Sequence, residues 1–287
     1  MVNLYRKRDG WFYIGRAGFV LVIILTLIYI VFPFYWAFVS SLKPADELIQ
    51  TPTTYWPTHI TLTNYQAVLS DPQIIKGLIN SGVISLSVVA LSLIFGSLAA
   101  YALGRLKFRG KRIILYMMLS MTLFPQIAVL PGLFKIVEDF GLYGSILSLV
   151  TTYLVFTLPL TTWVLMVFYR SLPNDIEEAA LVDGATFFQT FYIILLPLTA
   201  PAIVTTGLLA FIATWNEYLF ALSFTVTNPD AQPVTVAMAN FRGVVASAQP
   251  FGEIMAAAII VTVPLLIIIF LFQHRIIAGL TAGAVKG

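Results

Sequence analysis

The chain has 287 residues, of which 59% are hydrophobic and only 10% charged, and its mean hydropathy is +0.92. It is too apolar and too sparsely charged for a water-soluble domain of that length, which predicts an integral membrane protein. The lack of cysteine excludes a disulfide frame and thiolate metal sites, and two distant histidines, His59 and His274, do not make a zinc site, so no cofactor is expected in the chain itself. Its net charge of +3 comes from short basic clusters beside apolar runs, a pattern that suits membrane lipid head groups rather than nucleic acid.

A helix rising about 1.5 Å per residue needs about 20 residues to cross the hydrocarbon core. The charge-poor intervals therefore predict an all-α fold of one integral domain, residues 1–287, with six transmembrane helices at about 17–40, 78–104, 113–134, 144–169, 200–224 and 254–274. The first run is too long for a signal-peptide core, and Phe34, Tyr35 and Trp36 do not resemble a small-residue cleavage site, so it is read as a true span. Ser40 to Lys76 follows, with Pro44, Pro52 and Pro57 among Tyr55, Trp56 and Tyr65, a composition suited to the membrane interface.

Beyond the fourth span lies a polar insert, residues 171–199. The interval from Gly184 to Asn216 is longer than a span needs and contains Pro197 and Pro201; since proline favours helix starts, the fifth span is set to begin near Ala200. Asn228 to Pro250 forms the second sizeable outer connection. Neither outer segment is long enough to fold a solute-capturing domain, so capture would fall to another polypeptide.

Twelve of the sixteen basic residues lie on one side of this topology: Arg6, Lys7, Arg8, Arg16, Arg105, Lys107, Arg109, Lys111, Arg112, Arg170, Arg275 and Lys286. Lys43, Lys76, Lys135 and Arg242 lie on the other. By the positive-inside rule both termini and the insert are cytoplasmic. The Arg105–Arg112 cluster reads as a topology determinant.

Within the insert, Asn174 or Asp175 is expected to cap a short helix, with Glu178 three residues after Asp175 completing a capping box and the acidic first turn suiting the helix dipole. Ala179 and Ala180 present small side chains, Gly184 lets the backbone break, and the run from Thr186 to Leu196 forms a second helix leading through Pro197 and Pro201 into the fifth span.

These residues resemble the EAA loop of binding-protein-dependent ABC importer permeases. Glu178, Ala179 and Ala180, then Gly184, then Leu196-Pro197, match the family pattern in order and spacing, and Asp183 and Ala185 match the DGA form of the sugar permeases. The resemblance continues in Asn80-Ser81, in AAYALGRLKFRGKR from Ala99 to Arg112, in Phe124-Pro125 and in WNEY from Trp215 to Tyr218. The tail FQHRIIAGLTAGAVKG, Phe272 to Gly287, is similar to the second permease subunit of maltose- and trehalose-type importers. The resemblance implies a bacterial or archaeal cytoplasmic-membrane subunit that works with a homologous permease, two ATPase subunits and an extracytoplasmic solute-binding protein. It further implies that the EAA helix docks on the ATPase, which binds ATP and Mg, and that tail residues Gly279, Leu280, Thr281, Gly283 and Lys286 reach the ATPases. The implied solute is a di- or oligosaccharide; a glycerophosphodiester or polyol is the alternative.

The chain has no P-loop of its own: Gly104 and Gly110 are separated by five residues instead of four, and Arg112 stands where a hydroxyl is required. A self-sufficient secondary transporter would need ionisable groups near mid-membrane, and an intramembrane enzyme a nucleophile with its base; neither pattern is present. Glu217 is the ionisable residue that interrupts a span. Beside Trp215, Asn216 and Tyr218 it either faces solute, sets the depth of its helix, or pairs across a subunit interface. Asn80 and Gln126 are further candidates for lining a solute path, although amides within spans more often tie helices together.

Overall fold

The computed structural model describes residues 10–241 and 250–284, and the side-chain surroundings of residues 15–241 and 250–273 among them. Among the described residues the secondary structure is entirely helical. Four helices are long and apolar enough to cross a membrane, Gly15–Ser41, Pro72–Gly104, Ile146–Ser171 and Phe251–Gln273, and the number rises to six if each of two bent helix pairs counts as one span. The chain divides into two compact units, Met1–Ser70 with Arg242–Ile260, and Asp71–Phe241 with Val261–Gly287.

In the first unit α1 (Gly10–Ser41) leads into the short helices α2 (Ala45–Leu48) and α3 (Thr63–Leu69). Polar side chains fold the intervening loop. The Lys43 ammonium donates to the Thr54 carbonyl and lies 5.1 Å from the Trp36 ring centroid. The Glu47 carboxylate accepts from the Thr54 hydroxyl at 2.6 Å and from the Thr58 amide and hydroxyl at 3.0 and 2.9 Å. Asn64 donates to the carbonyls of Ser41 and Lys43, both at 2.9 Å. This loop is built, not slack.

The second unit carries the bundle. Helix α4 (Pro72–Gly104) begins where Asp71 accepts from the amides of Gln73 and Ile74 and Pro72 occupies the first turn, several residues before the expected start at 78. Its main neighbour is α7 (Ile146–Ser171). The two approach closely because position 96 has no side chain: a Cβ on Gly96 would lie 2.7 Å from the Thr161 methyl. A Ser92–Thr157 hydroxyl pair at 2.8 Å crosses the same seam. Around it Ile84, Val88, Leu149, Tyr153, Phe220 and Phe224 form one buried cluster, and Tyr101, Leu165, Tyr169, Phe191 and Leu195 form another.

The expected third span is two helices, α5 (Lys111–Leu123) and α6 (Gln126–Asp139), meeting at 105°. Pro125 is the cause: it excludes the α conformation from Phe124, which is extended at φ −72° and ψ 131°. After α7 the insert forms α8 (Asp175–Val182) and α9 (Phe187–Gln189), and a π-helical turn over Thr190–Leu195 continues into α10 (Leu196–Leu198). This second segment meets α11 (Ala200–Trp215) at 76°. Pro197 and Pro201 have no amide to donate, so the ordinary helical ladder lapses on both sides of the bend.

The expected fifth span, 200–224, is also interrupted. Helix α11 ends at Trp215, and α12 (Leu219–Thr225) starts afresh after Asn216–Tyr218. A 3₁₀ turn at Pro229–Ala231 and α13 (Val234–Asn240) complete the connection. The last helix, α14 (Phe251–Ala284), runs ten residues past the expected end at 274.

Two measurements test these packing statements. Gly96→Val is expected to cost about 1–3 kcal/mol by overpacking the α4–α7 seam, read as a lower unfolding temperature in detergent, whereas Gly82→Ala, with open space at its Cβ, is neutral. The Thr54 hydroxyl, with the Thr58 amide and hydroxyl, holds the Glu47 carboxyl at about 2 against an ordinary 4.5. Because the folded value is the lower one, its contribution is complete above 4.5 and is lost as pH falls through about 2. Hydrogen exchange over residues 43–60 should show protection declining across that window, and Glu47→Gln should show weak protection throughout.

Candidate functional site

The insert is fastened by one arginine. The Arg105 Nε lies 2.9 Å from Glu177 Oε1, with side-chain exposures of only 6% and 17%, while its Nη1 donates to Asn174 Oδ1 and its Nη2 to the Leu172 carbonyl at 2.6 Å. Arg105 follows directly on α4, so this fork joins the end of α4 to the start of α8. The expected capping box at Asp175 and Glu178 does not form. Asn174, the residue before the helix, is already helical at φ −69° and ψ −29°, and its side-chain oxygen is taken by Arg105. Burial pushes the Glu177 carboxyl above the usual carboxylate range, and the Arg105 charge opposes that rise.

At its far end α8 stops in a Schellman turn. The Ala185 amide bonds back to the Ala180 carbonyl at 3.0 Å and the Gly184 amide to Leu181 at 3.1 Å, with Gly184 left-handed at φ +85°. The expected break at Gly184 therefore has a definite geometry, in which glycine avoids the Cβ penalty. A capping box appears two residues later: Thr186 accepts from the Gln189 amide at 3.2 Å, and Gln189 accepts from the Thr186 amide at 2.8 Å. Behind it Tyr101, Tyr169 and Phe191 pack ring to ring with centroids 5.1 to 6.2 Å apart.

Glu178, Ala179, Asp183 and Gly184 are exposed, Ala185 is half-buried and Ala180 is buried. Beside them Val182 is 87% exposed, and Leu181, Phe187 and Phe188 are exposed as well, an apolar patch around the tip of α8. Of the tail residues, Gly279, Leu280, Thr281 and Gly283 belong to α14 by backbone, their side chains lying outside the described residues, as does Lys286 altogether.

The six candidate path residues are not brought together. The Glu217 carboxylate accepts from the Tyr153 hydroxyl at 2.6 Å and from the amides of Phe220 and Ala221 at 2.9 and 3.0 Å, so it caps α12 and ties that helix to α7. Within the single chain that carboxylate is held by an internal tie, a partner set that its sequence neighbours did not indicate. Asn80 donates to the carbonyls of Asp230 and Gln232, both at 2.9 Å, which is the helix-tying role. Asn216 bonds back to Ile212 at 2.8 Å, Trp215 is buried and stacked on Phe211 at 5.4 Å, and Tyr218 is exposed. Gln126 lines a cleft of about 270 Å³ at the α5–α6 break.

The fold is shared with known transporters. A crystal structure of a bacterial ABC transporter involved in the import of the acidic polysaccharide alginate aligns over 93% of this chain and 98% of the other at TM-score 0.80 and 21% identity. The alginate transporter in complex with its pentasaccharide-bound periplasmic protein aligns over 91% and 93% at TM-score 0.68 and 15% identity. Residues 92–281 match the family described as "Binding-protein-dependent transport system inner membrane component". The chain belongs to that family. Among its relatives, the trehalose/maltose transport system permease protein MalG of Thermococcus litoralis is 42% identical over 92% of this chain and 94% of its own length. The trehalose transport system permease protein SugB of Mycobacterium tuberculosis is 40% identical over 90% and 93%, and the sulfoquinovosyl glycerol permease protein SmoH of Agrobacterium fabrum 38% over 89% of each. The family is one of membrane components, and the apolar helices of this chain fit a multi-pass protein.

Arg105 was legible in sequence only as a positive-inside charge. Removing one partner of a nearly buried ion pair costs about 3–5 kcal/mol, so Arg105→Ala should raise hydrogen exchange across residues 172–184. Arg105→Lys should not restore protection, because a single ammonium cannot reproduce the fork that meets Glu177, Asn174 and Leu172 together.

Proposed function

We propose that this chain is a permease subunit of an ATP-driven importer that moves a di- or oligosaccharide across the cytoplasmic membrane of a bacterium or archaeon. In this reading the α5–α6 pair counts as one span and α11 with α12 as another, giving six with the four long helices, and residues 1–287 work as a single transmembrane domain. Both termini and the α8 elbow face the cytoplasm, as the basic residues favour. A homologous permease completes the pathway, two ATPase subunits bind ATP and Mg and perform the hydrolysis, and an extracytoplasmic binding protein delivers the solute. The saccharide assignment is supported by relatives named for trehalose/maltose and trehalose transport.

The observation that carries the coupling role is the construction of α8. Its helix is held at the base by Arg105, stopped at the tip by Gly184, and bordered by Leu181, Val182, Phe187 and Phe188, exposed apolar side chains suited to a protein partner. Glu178, Ala179, Asp183, Gly184 and Ala185 form the contact with the ATPase, while Ala180 of the same segment is buried behind them and packs α8 against the chain. The end of α14, with Gly279, Leu280, Thr281, Gly283 and Lys286, supplies a second ATPase contact. Closure of the ATPases pushes the elbow and shifts the spans between inward-open and outward-open states.

Glu178→Lys and Gly184→Val in the assembled importer test this directly. Both are expected to abolish uptake while leaving membrane insertion and yield intact, and a thiol cross-link from Ala179→Cys to the ATPase should form in the wild-type background. Normal uptake by both variants, or cross-linking only to extracytoplasmic protein, would overturn the coupling role.

A further inference from the structure

The break between α5 and α6 leaves the last carbonyls of one helix and the first amides of the next without helical partners. Backbone of that kind is tolerated at membrane depth where it is buried in protein or lines a water-filled cavity. A cleft of about 270 Å³ sits at the break, lined by Thr122, Phe124 and Gln126 from the break itself, by residues of α7 including Phe156, Thr157 and Thr161, and by residues of α11 including Thr206. Thr157 and Thr161 fall at the middle of the 26-residue α7, and Thr206 near the middle of the 16-residue α11. The cleft therefore lies at mid-depth of these helices.

Its polar groups divide into two kinds. Thr122 donates to the Leu119 carbonyl at 2.7 Å and Thr206 to Ala202 at 2.8 Å, so these hydroxyl oxygens retain acceptor capacity, whereas Thr157 donates to Tyr153 at 3.0 Å and accepts from Ser92 at 2.8 Å. Thr161 and Gln126 make no side-chain hydrogen bond among the described residues; the Thr161 methyl packs toward Gly96. The Gln126 amide adds two donors and an acceptor. None of the lining residues is ionisable, so an ionic solute would lose its hydration with no countercharge in return. Aromatic and aliphatic walls with a few convergent polar groups are the usual make-up of a small-molecule site.

We propose that this cleft, and not the Glu217 turn, is the wall that this chain contributes to the solute path, and that it takes an uncharged polyhydroxylated solute, with Thr161 and Gln126 making the contacts. The inference rests on the permease reading above and locates the solute within it. The companion permease closes the open side.

The absence of cysteine from the chain makes the test direct. Single cysteines at Thr161, Gln126 and, as an exposed apolar control on α4, Ile94 are placed in the complete importer in membrane vesicles and exposed to a permanently charged methanethiosulfonate reagent, with labelling read as mass shift on this chain. Thr161→Cys and Gln126→Cys are expected to react faster than Ile94→Cys, and trehalose to slow both. Thr161→Val should raise the half-saturating trehalose concentration for uptake about three- to tenfold, the loss of one hydrogen bond, and Thr161→Ser should restore it. Reaction at positions 161 and 126 no faster than at 94 would show the cleft to be a dry packing surface for the companion subunit and overturn the proposal. Failure of the unmodified importer to take up trehalose or maltose with ATP counts against the saccharide reading separately, because reagent access to the cleft is scored without any sugar.

Discussion

The close approach of α4 to α7 is the constraint from which the rest of the larger unit follows. Gly96 removes the side chain that would collide with Thr161, and the Ser92–Thr157 pair supplies a polar contact where lipid-facing alternatives have none. In a membrane there is little hydrophobic gain from one apolar helix meeting another, so van der Waals fit and short hydrogen bonds have to set the geometry. Once this seam is fixed, α7 presents Thr157 and Thr161 to the cleft at its centre, Tyr153 to Glu217 toward one end, and the insert at the other. Arg105, at the end of α4 on the side of the insert, is thereby placed to reach Asn174 and Glu177.

Prolines cut the remaining helices into functional lengths. Each of the two large bends lies beside a proline that cannot donate a backbone hydrogen bond, Pro125 at the first and Pro197 and Pro201 on either side of Thr199 at the second, and each has a local replacement. Phe124 turns extended before Pro125, and beside Pro197 the ladder widens into a π turn while Thr199 returns its hydroxyl to the Leu195 carbonyl at 3.0 Å. Glu217 performs the same service at the third interruption by accepting the first free amides of α12. Ionised or amide side chains in this protein serve broken backbone first, which explains why Glu217 and Asn80 point inward to the chain.

Much of this architecture was legible in the sequence because hydrophobic length is a physical requirement of a membrane-spanning helix. The apolar intervals located the long helices, and proline placed the start of α11 at Ala200. Spacing around Gly184 anticipated the elbow, since a left-handed stop asks for glycine. Sequence did not reveal which side chains would meet across the fold. Arg105 and Glu177 are 72 residues apart in the chain and look like ordinary surface charges one at a time. Thr157 and Thr161 were silent because threonine is common on membrane helices bonded to its own carbonyls. The pairing of a proline break with hydroxyls four residues apart was the available signal.

The final helix has a dimensional consequence. Thirty-four residues at about 1.5 Å each make α14 roughly 50 Å long, well beyond the roughly 30 Å of hydrocarbon. The glycine-bearing end of the chain, up to Ala284, is helix continuous with the last span. About 20 Å of regular helix therefore extends past the hydrocarbon, and Gly279, Leu280, Thr281 and Gly283 are carried on it.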